Sequence, residues 1–211
     1  MKILVVGAAG KIGQWLVKLA LEQGHEVTAF ARDPSKVEAR GERLRLERGD
    51  ALDPAAVDRA VRGQDAVVSA LGTLDRKSKV RSEGTGLVVE AMKRHGVRRF
   101  AVVSAIGVGD SREQARRSSF VFGRIILPLF LEKPFADMAR MEEIVKDSGL
   151  EWVIVRPTGL VDRPASGKVR AVVDGSSVGT AIPRADVAAF MLEEVSGPGA
   201  YIGRLPSIWA A

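Results

Sequence analysis

Short apolar runs bounded by turn residues alternate along the chain with segments whose apolar residues recur at helical spacing. Ile3 to Val6 reads as a buried strand, and Ile12, Leu16, Leu19 and Ala20 fall on one face of a helix that Gly24 stops. The same reading gives strands over 26–30, 43–48, 65–71, 98–106 and 151–157. Asp53-Pro54 starts a helix, with an N-cap carboxylate followed by proline at the first position. Further helices are expected over 86–96, ended by Gly96, and over 135–149. A small late strand, a loop and a last helix opening near Ala185-Asp186 complete the pattern. Repeated strand–helix–strand order with nearly continuous apolar strands predicts an α/β fold, a doubly wound, mostly parallel sheet covered on both faces. No linker, repeat or low-complexity stretch divides residues 1–211, so one domain is expected.

Composition narrows the chemistry. The chain has 211 residues and no cysteine, which excludes disulfides, zinc–thiolate sites and thiol nucleophiles. Its two histidines, His25 and His95, lie far apart, and no metal site is expected. The formal net charge of +6 raises a nucleic-acid or membrane partner, but the basic residues are interleaved with Asp and Glu. With no base-reading module or aromatic platform, no nucleic-acid partner is expected. Met1-Lys2 leads directly into an apolar strand. The most apolar stretch elsewhere, Phe120 to Phe130, contains Arg124 and Pro128 and is shorter than the roughly 20 residues of a membrane span. These features predict a cytoplasmic protein without a membrane span.

The first strand runs into Gly7-Ala8-Ala9-Gly10-Lys11-Ile12-Gly13, three glycines at spacings of three, followed by a helix. In a doubly wound sheet, ligands bind beyond the carboxyl ends of the strands, where the strand order reverses. A phosphate there meets free N–H groups and the positive end of the helix dipole. Glycines allow close approach, and Gly13 would let helix and strand pack together. The turn therefore predicts a Rossmann fold with a nucleotide on Gly7, Ala9, Gly10, Lys11, Ile12 and Gly13, the alternative being a tight turn between strand and helix with no ligand.

The end of the second strand addresses which nucleotide. NAD sites usually carry an acidic residue there for the ribose 2′-OH. This chain has Ala31-Arg32-Asp33-Pro34-Ser35-Lys36. A guanidinium at Arg32, with Lys36 behind it, suits a 2′-phosphate. Asp33, standing before proline, fits a turn or cap better than the ribose. NADP, as NADPH, is expected in preference to NAD.

Several further stretches carry a resemblance: "GDALD", "DAVVSALGT", "RSEGTGLVVEAMKRHGV", "VVSAIGV", "MEEIVKDSGLEWVIVRPTGLVD" and "ADVAAFML". With "GAAGKIG" and "ARDPSK", in this order and spacing, they resemble the atypical short-chain dehydrogenase/reductases, in the NAD(P)H-binding group that includes biliverdin reductase B, also called flavin reductase. The resemblance runs almost end to end. It implies that Asp50 and Ala51 contact the adenine ring. It also implies that Ala70-Leu71-Gly72-Thr73 run along the phosphates and ribose, and that Ser82 lies on the cofactor side. Ser104, ending the fifth strand, takes the position of the family's active-site serine, where its hydroxyl could donate to an acceptor carbonyl or to the carboxamide. Pro157, Thr158 and Leu160 should border the nicotinamide. A strand-end serine bonded to a neighbouring loop is the plainer reading of Ser104.

The departures are equally informative. Typical short-chain dehydrogenases use a Tyr-x-x-x-Lys pair, and here those positions fall on Pro134 and Met138, while the single tyrosine is Tyr201. Met138 and Met141, with Ile144 and Val145, read as the packed face of their helix. Where the resembled enzyme has histidine after the sixth strand, this chain has Thr158, which argues against a bilin substrate in particular. A substrate-side segment is expected at 105–135. Within it the stretch from Asp110 to Phe135 begins polar and basic and turns bulky and apolar, as expected of a pocket wall over a flat acceptor, of a partner surface or of ordinary core. The expected function is an NADPH-dependent oxidoreductase passing hydride to a small-molecule acceptor such as a flavin or quinone, in a monomer or homodimer. The alternative is a non-catalytic NADP(H)-binding redox sensor.

Overall fold

The computed structural model describes residues 1–73, 75, 78–118, 132–176 and 178–211. Helices α1 (Lys11–Glu22), α2 (Pro54–Val61), α3 (Val80–His95), α4 (Arg112–Ser118), α5 (Glu132–Lys146) and α6 (Arg184–Ser196) alternate with ten strands. The strands are β1 (Lys2–Val6), β2 (Glu26–Ala31), β3 (Leu44–Arg48), β4 (Ala66–Ser69), β5 (Arg99–Val103), β6 (Glu151–Pro157), β7 (Gly159–Val161), β8 (Val169–Val172), β9 (Ala181–Pro183) and β10 (Ser207–Ala210). The main sheet runs β3-β2-β1-β4-β5-β6-β10-β8, parallel except for β8, and β7 pairs with β9 apart from it. The order reverses between β2-β1 and β1-β4, at the end of the glycine turn.

Two apolar layers hold the sheet. Ile3, Val5, Val68, Ala101 and Val155 face α1 and α6, where Leu16, Val17, Met191 and Leu192 cover them. On the other side, Leu4, Val6, Phe100 and Ile154 meet Val57, Val88, Met92, Met141 and Val145 of α2, α3 and α5. Strands covered on both faces show no polar alternation, which is why they read as continuous apolar runs. Met141 and Val145, with Ile144, form the packed face of α5, whereas Met138 joins a smaller cluster with Ile106, Val108, Ala115 and Phe135.

Several elements differ from expectation: α5 runs three residues earlier at each end, and the pattern does not anticipate α4, β7 and β9. Helix α3 starts at Val80 rather than at Gly86, because Gly84 fits against Leu71 and Ala51 and because α5 caps the helix from outside. Strand β10 inserts beside β6 and pairs antiparallel with the late strand β8. The apolar stretch 120–130 lies outside the described residues.

Candidate functional site

Six consecutive strands deliver the expected site residues to one edge. Asp50 and Ala51 follow β3, Arg32 follows β2, the glycine turn follows β1, Ala70 to Thr73 follow β4, Ser104 follows β5, and Pro157 to Leu160 end or follow β6. The sheet order β3-β2-β1-β4-β5-β6 sets them in a row. Five inter-strand spacings make that row roughly 24 Å long, a scale suited to two linked nucleotides rather than one.

The glycine turn is built backbone against backbone. Gly7 has φ +81°, and a Cβ on it would lie 2.7 Å from the Ala70 carbonyl oxygen. A Cβ on Gly13 would stand 2.2 Å from the Gly7 oxygen, so α1 sits directly on the end of β1. At Gly10 a Cβ would meet only that same oxygen, at 3.2 Å, and the position is otherwise open and exposed. Gly10 is also the N-cap of α1, and among the described residues no side chain caps this helix. Its first N–H groups therefore have no capping side chain, the arrangement a phosphate can use. The cradle fits a dinucleotide pyrophosphate.

The charges around it are arranged in two groups. Lys11 Nζ pairs with Asp162 Oδ2 at 2.7 Å, and Arg184 Nη1 meets Asp162 Oδ1 at 2.5 Å. The Lys11 hydrogen bond, with Arg184 behind it, holds the Asp162 carboxyl below its ordinary range. These contacts draw the chain after β7 to the mouth of the glycine turn. At the end of β2, Asp33 accepts from Ser35 Oγ at 2.6 Å and lies 3.6 Å from Lys36 Nζ. The Ser35 hydrogen bond is the main cause of a lowered Asp33 pKa. Lys36 is tied down further by its carbonyl, which accepts from Gln14 Nε2. Arg32 is exposed and makes no ion pair or hydrogen bond among the described residues.

Ser104 is 5% exposed, and its Oγ donates to Glu142 Oε1 at 2.7 Å. Its proton thus points to α5 rather than outward. Glu142, 1% exposed, also accepts from Arg156 Nε at 3.0 Å and Nη2 at 2.6 Å. Arg156 in turn reaches Asp110 at 2.6 Å, a residue on the segment that follows β5. Burial alone would push the Arg156 pKa down, but hydrogen bonds and charge from Glu142 and Asp110 raise it above its ordinary value. Sequence reasoning missed this network. The available signal was Arg156 itself: a guanidinium inside an apolar strand needs a buried partner.

The remaining expected residues are placed as follows. Ser82, fully buried, donates to Asp137 Oδ1 at 2.5 Å, so its hydroxyl is committed to α5. Thr73 Oγ1 accepts the Asp75 N–H at 3.0 Å. Asp50 Oδ1 accepts the Leu52 N–H at 3.0 Å, an Asx turn that presents Ala51. Thr158 is 6% exposed, and its Oγ1 has no partner among the described residues, as is also true of Ser69 Oγ at the end of β4. Tyr201 lies elsewhere, its ring 5.5 Å from Phe190 and its N–H on Glu194, near the amino end of the strands. Among the described residues no helix is long and apolar enough to cross a membrane.

Residues 7–198 match a family described as NAD(P)H-binding. YhfK of Bacillus subtilis (strain 168), described as an uncharacterized sugar epimerase, is 30% identical over 82% of this chain and 79% of its own length. The 2-alkyl-3-oxoalkanoate reductase of Stenotrophomonas maltophilia (strain K279a) is 31% identical over 95% of this chain and 67% of its own. The solved structure of a Rossmann-fold NAD(P)-binding family protein from Shigella flexneri is similar with a TM-score of 0.77 and 26% identity, covering 99% of this chain and 93% of that one. The chain belongs to the NAD(P)H-binding family of Rossmann-fold proteins.

Proposed function

We propose that the chain is an NADPH-dependent reductase that passes hydride to a flat acceptor such as a flavin or quinone. The contrast between Arg32 and Asp33 carries the choice of cofactor: the carboxylate is engaged by Ser35 and Lys36, and the guanidinium has no partner among the described residues. A planar fork at the end of β2 matches a 2′-phosphate dianion, whereas an NAD site would present the carboxylate.

Bound NADPH supplies the hydride from C4 of its nicotinamide. The protein's part is to bind and orient. The cradle of Gly7, Gly10 and Gly13 takes the pyrophosphate on the N–H groups of α1, with Lys11 beside it. Asp50, Ala51 and Arg32 hold the adenosine half, and the β4 loop spans the centre. Ser104 and the Pro157–Leu160 stretch border the reacting end. By the resemblance, Pro134 and Met138 take the positions of a phenol and an ammonium, and Met138 packs against apolar neighbours. With no phenolic acid there, the reading favours acceptors whose reduced form takes its proton from solvent. The reductase named among the relatives supports the reaction class.

The test is a parallel titration with NADPH and NADH, followed by energy transfer from tryptophan to bound nicotinamide, and then an acceptor screen. Tighter NADPH binding with turnover of at least one flavin or quinone is expected. Absence of binding overturns the cofactor reading, and equal binding overturns the NADPH preference. Zero rate with every acceptor at saturating NADPH leaves the redox-sensor reading, for which the missing Tyr-x-x-x-Lys pair speaks.

A further inference from the structure

We propose that Glu142 and Arg156 fix Ser104 as a hydrogen-bond acceptor toward the ligand, and that the group it accepts is an N–H of the nicotinamide carboxamide. This rests on the cofactor reading above.

The polarity follows from counting protons. A guanidinium has donors only, and Arg156 sends Nε to one oxygen of Glu142 and Nη2 to the other. Both oxygens of Glu142 therefore accept, and the 2.7 Å contact with Ser104 draws on the single proton of the serine hydroxyl. Rotating that proton toward a ligand would leave a carboxylate that is 1% exposed one hydrogen bond short. No described residue donates to Ser104 Oγ, so its lone pairs are what it offers at the end of β5.

A partner for those lone pairs must carry an N–H or O–H. On a nicotinamide the carboxamide NH2 is the one such group, since the ring carries none and the carbonyl only accepts. Ser104 thus serves as a binding residue, with Glu142 and Arg156 as positioning residues acting through it. Arg156 is 4% exposed, whereas the side chain of its second partner, Asp110, is 78% exposed and needs no partner of its own. The ion pair can accordingly be replaced as a unit. Exchanging a buried pair for apolar side chains of similar size is often neutral for stability, although removing one member is not.

The experiment compares NADPH with the reduced 3-acetylpyridine analogue of NADP, which keeps the carbonyl and lacks the NH2. Dissociation constants are measured by equilibrium titration, without turnover. In wild type, NADPH is expected to bind about three- to tenfold more tightly than the analogue, the range of one hydrogen bond. In Ser104→Ala that preference should fall to about one, through loss of NADPH affinity alone. In Glu142→Leu/Arg156→Met the freed hydroxyl turns donor, and the preference should again disappear while Ser104 remains in place. A preference unchanged by Ser104→Ala overturns the assignment, as does equal weakening of both ligands, which would mark Ser104 as a donor to their shared carbonyl. A preference retained in the folded double variant overturns the role of Glu142 and Arg156. Absence of NADPH binding to wild type would overturn the cofactor reading itself. The wild-type and Ser104→Ala measurements carry the acceptor assignment even if the double variant does not fold.

Discussion

Asp137 of α5 caps α3 across 55 positions of chain: it takes the Ser82 hydroxyl proton at 2.5 Å and the backbone N–H groups of Arg81 and Ser82 at 3.2 and 3.3 Å. A helix whose first residues are polar and glycine-rich is thus started by a carboxylate from its neighbour. Asp137→Ala should lower unfolding stability by about 2 kcal/mol, the cost of a lost cap with buried donors left unpaired. Asp137→Asn, which retains an acceptor, should cost about half as much. Urea denaturation of the variants checks both values.

The glycine turn makes opposite demands at two positions. Gly13→Ala drives a Cβ into the Gly7 carbonyl oxygen and should destabilise the fold by several kcal/mol, on the order of an overpacked core site or more. Gly10→Ala meets that oxygen at 3.2 Å and open space beyond, so the fold should survive with a small loss. Its new methyl stands where the pyrophosphate approaches, and NADPH affinity should drop at least tenfold. Thermal melting and cofactor titration of the two variants separate these outcomes.

Arg32→Ala should weaken NADPH by roughly 10- to 100-fold, the range for hydrogen bonds to a charged group, and leave NADH unchanged. Equal losses for both cofactors would show that Arg32 does not read the 2′-phosphate. Isothermal calorimetry at fixed ionic strength gives the comparison.

Thr158 Oγ1 is buried without a partner among the described residues. Thr158→Val removes that unpaired hydroxyl and should leave the ligand-free protein as stable as wild type or slightly more so. The same change should weaken NADPH several-fold if the hydroxyl serves the nicotinamide end. Melting temperatures with and without saturating NADPH report both effects.

Acid stability has one identifiable contributor on α2. Asp58 accepts from Arg94, His95 and Arg62, and chiefly the Arg94 hydrogen bond lowers its pKa from 3.8 to about 2. Because the folded value lies below the unfolded one, the contribution is complete above the ordinary carboxylate range and is lost as pH falls from there toward 2. The difference in unfolding free energy between wild type and Asp58→Asn should be present at about pH 5 and shrink below about 4. A difference that does not shrink between about pH 5 and 2 would assign the effect to something other than ionisation of Asp58.

Legibility in the sequence followed the range of the interactions. The β1–α1 turn, the Asp53-Pro54 start of α2 and the Gly96 end of α3 are local devices, and each stands where the pattern predicts it. The first turns of α3 were not legible, because Gly84 and Gly86 weaken the helical signal and Asp137 lies far along the chain. Glu142 was not legible as a buried position, because its partner Arg156 stands 14 positions further along the chain on β6. Strand β10 is four residues long and pairs with strands whose positions no local pattern specifies. Row order along the sheet was legible only as a class of fold, although it is what lines up Asp50, Arg32, the glycines and Ser104.

The stacking of main chain at the glycine turn has a genetic consequence. A Cβ at Gly49 would collide with the Phe30 ring and the Ala56 methyl, side chains that a second mutation can trim. At Gly13 the obstacles are the Gly7 oxygen and the Ala8 backbone, which every allele of the gene retains. A suppressor search should therefore recover compensating changes at Phe30 for a Gly49 lesion and, for a Gly13 lesion, reversion alone.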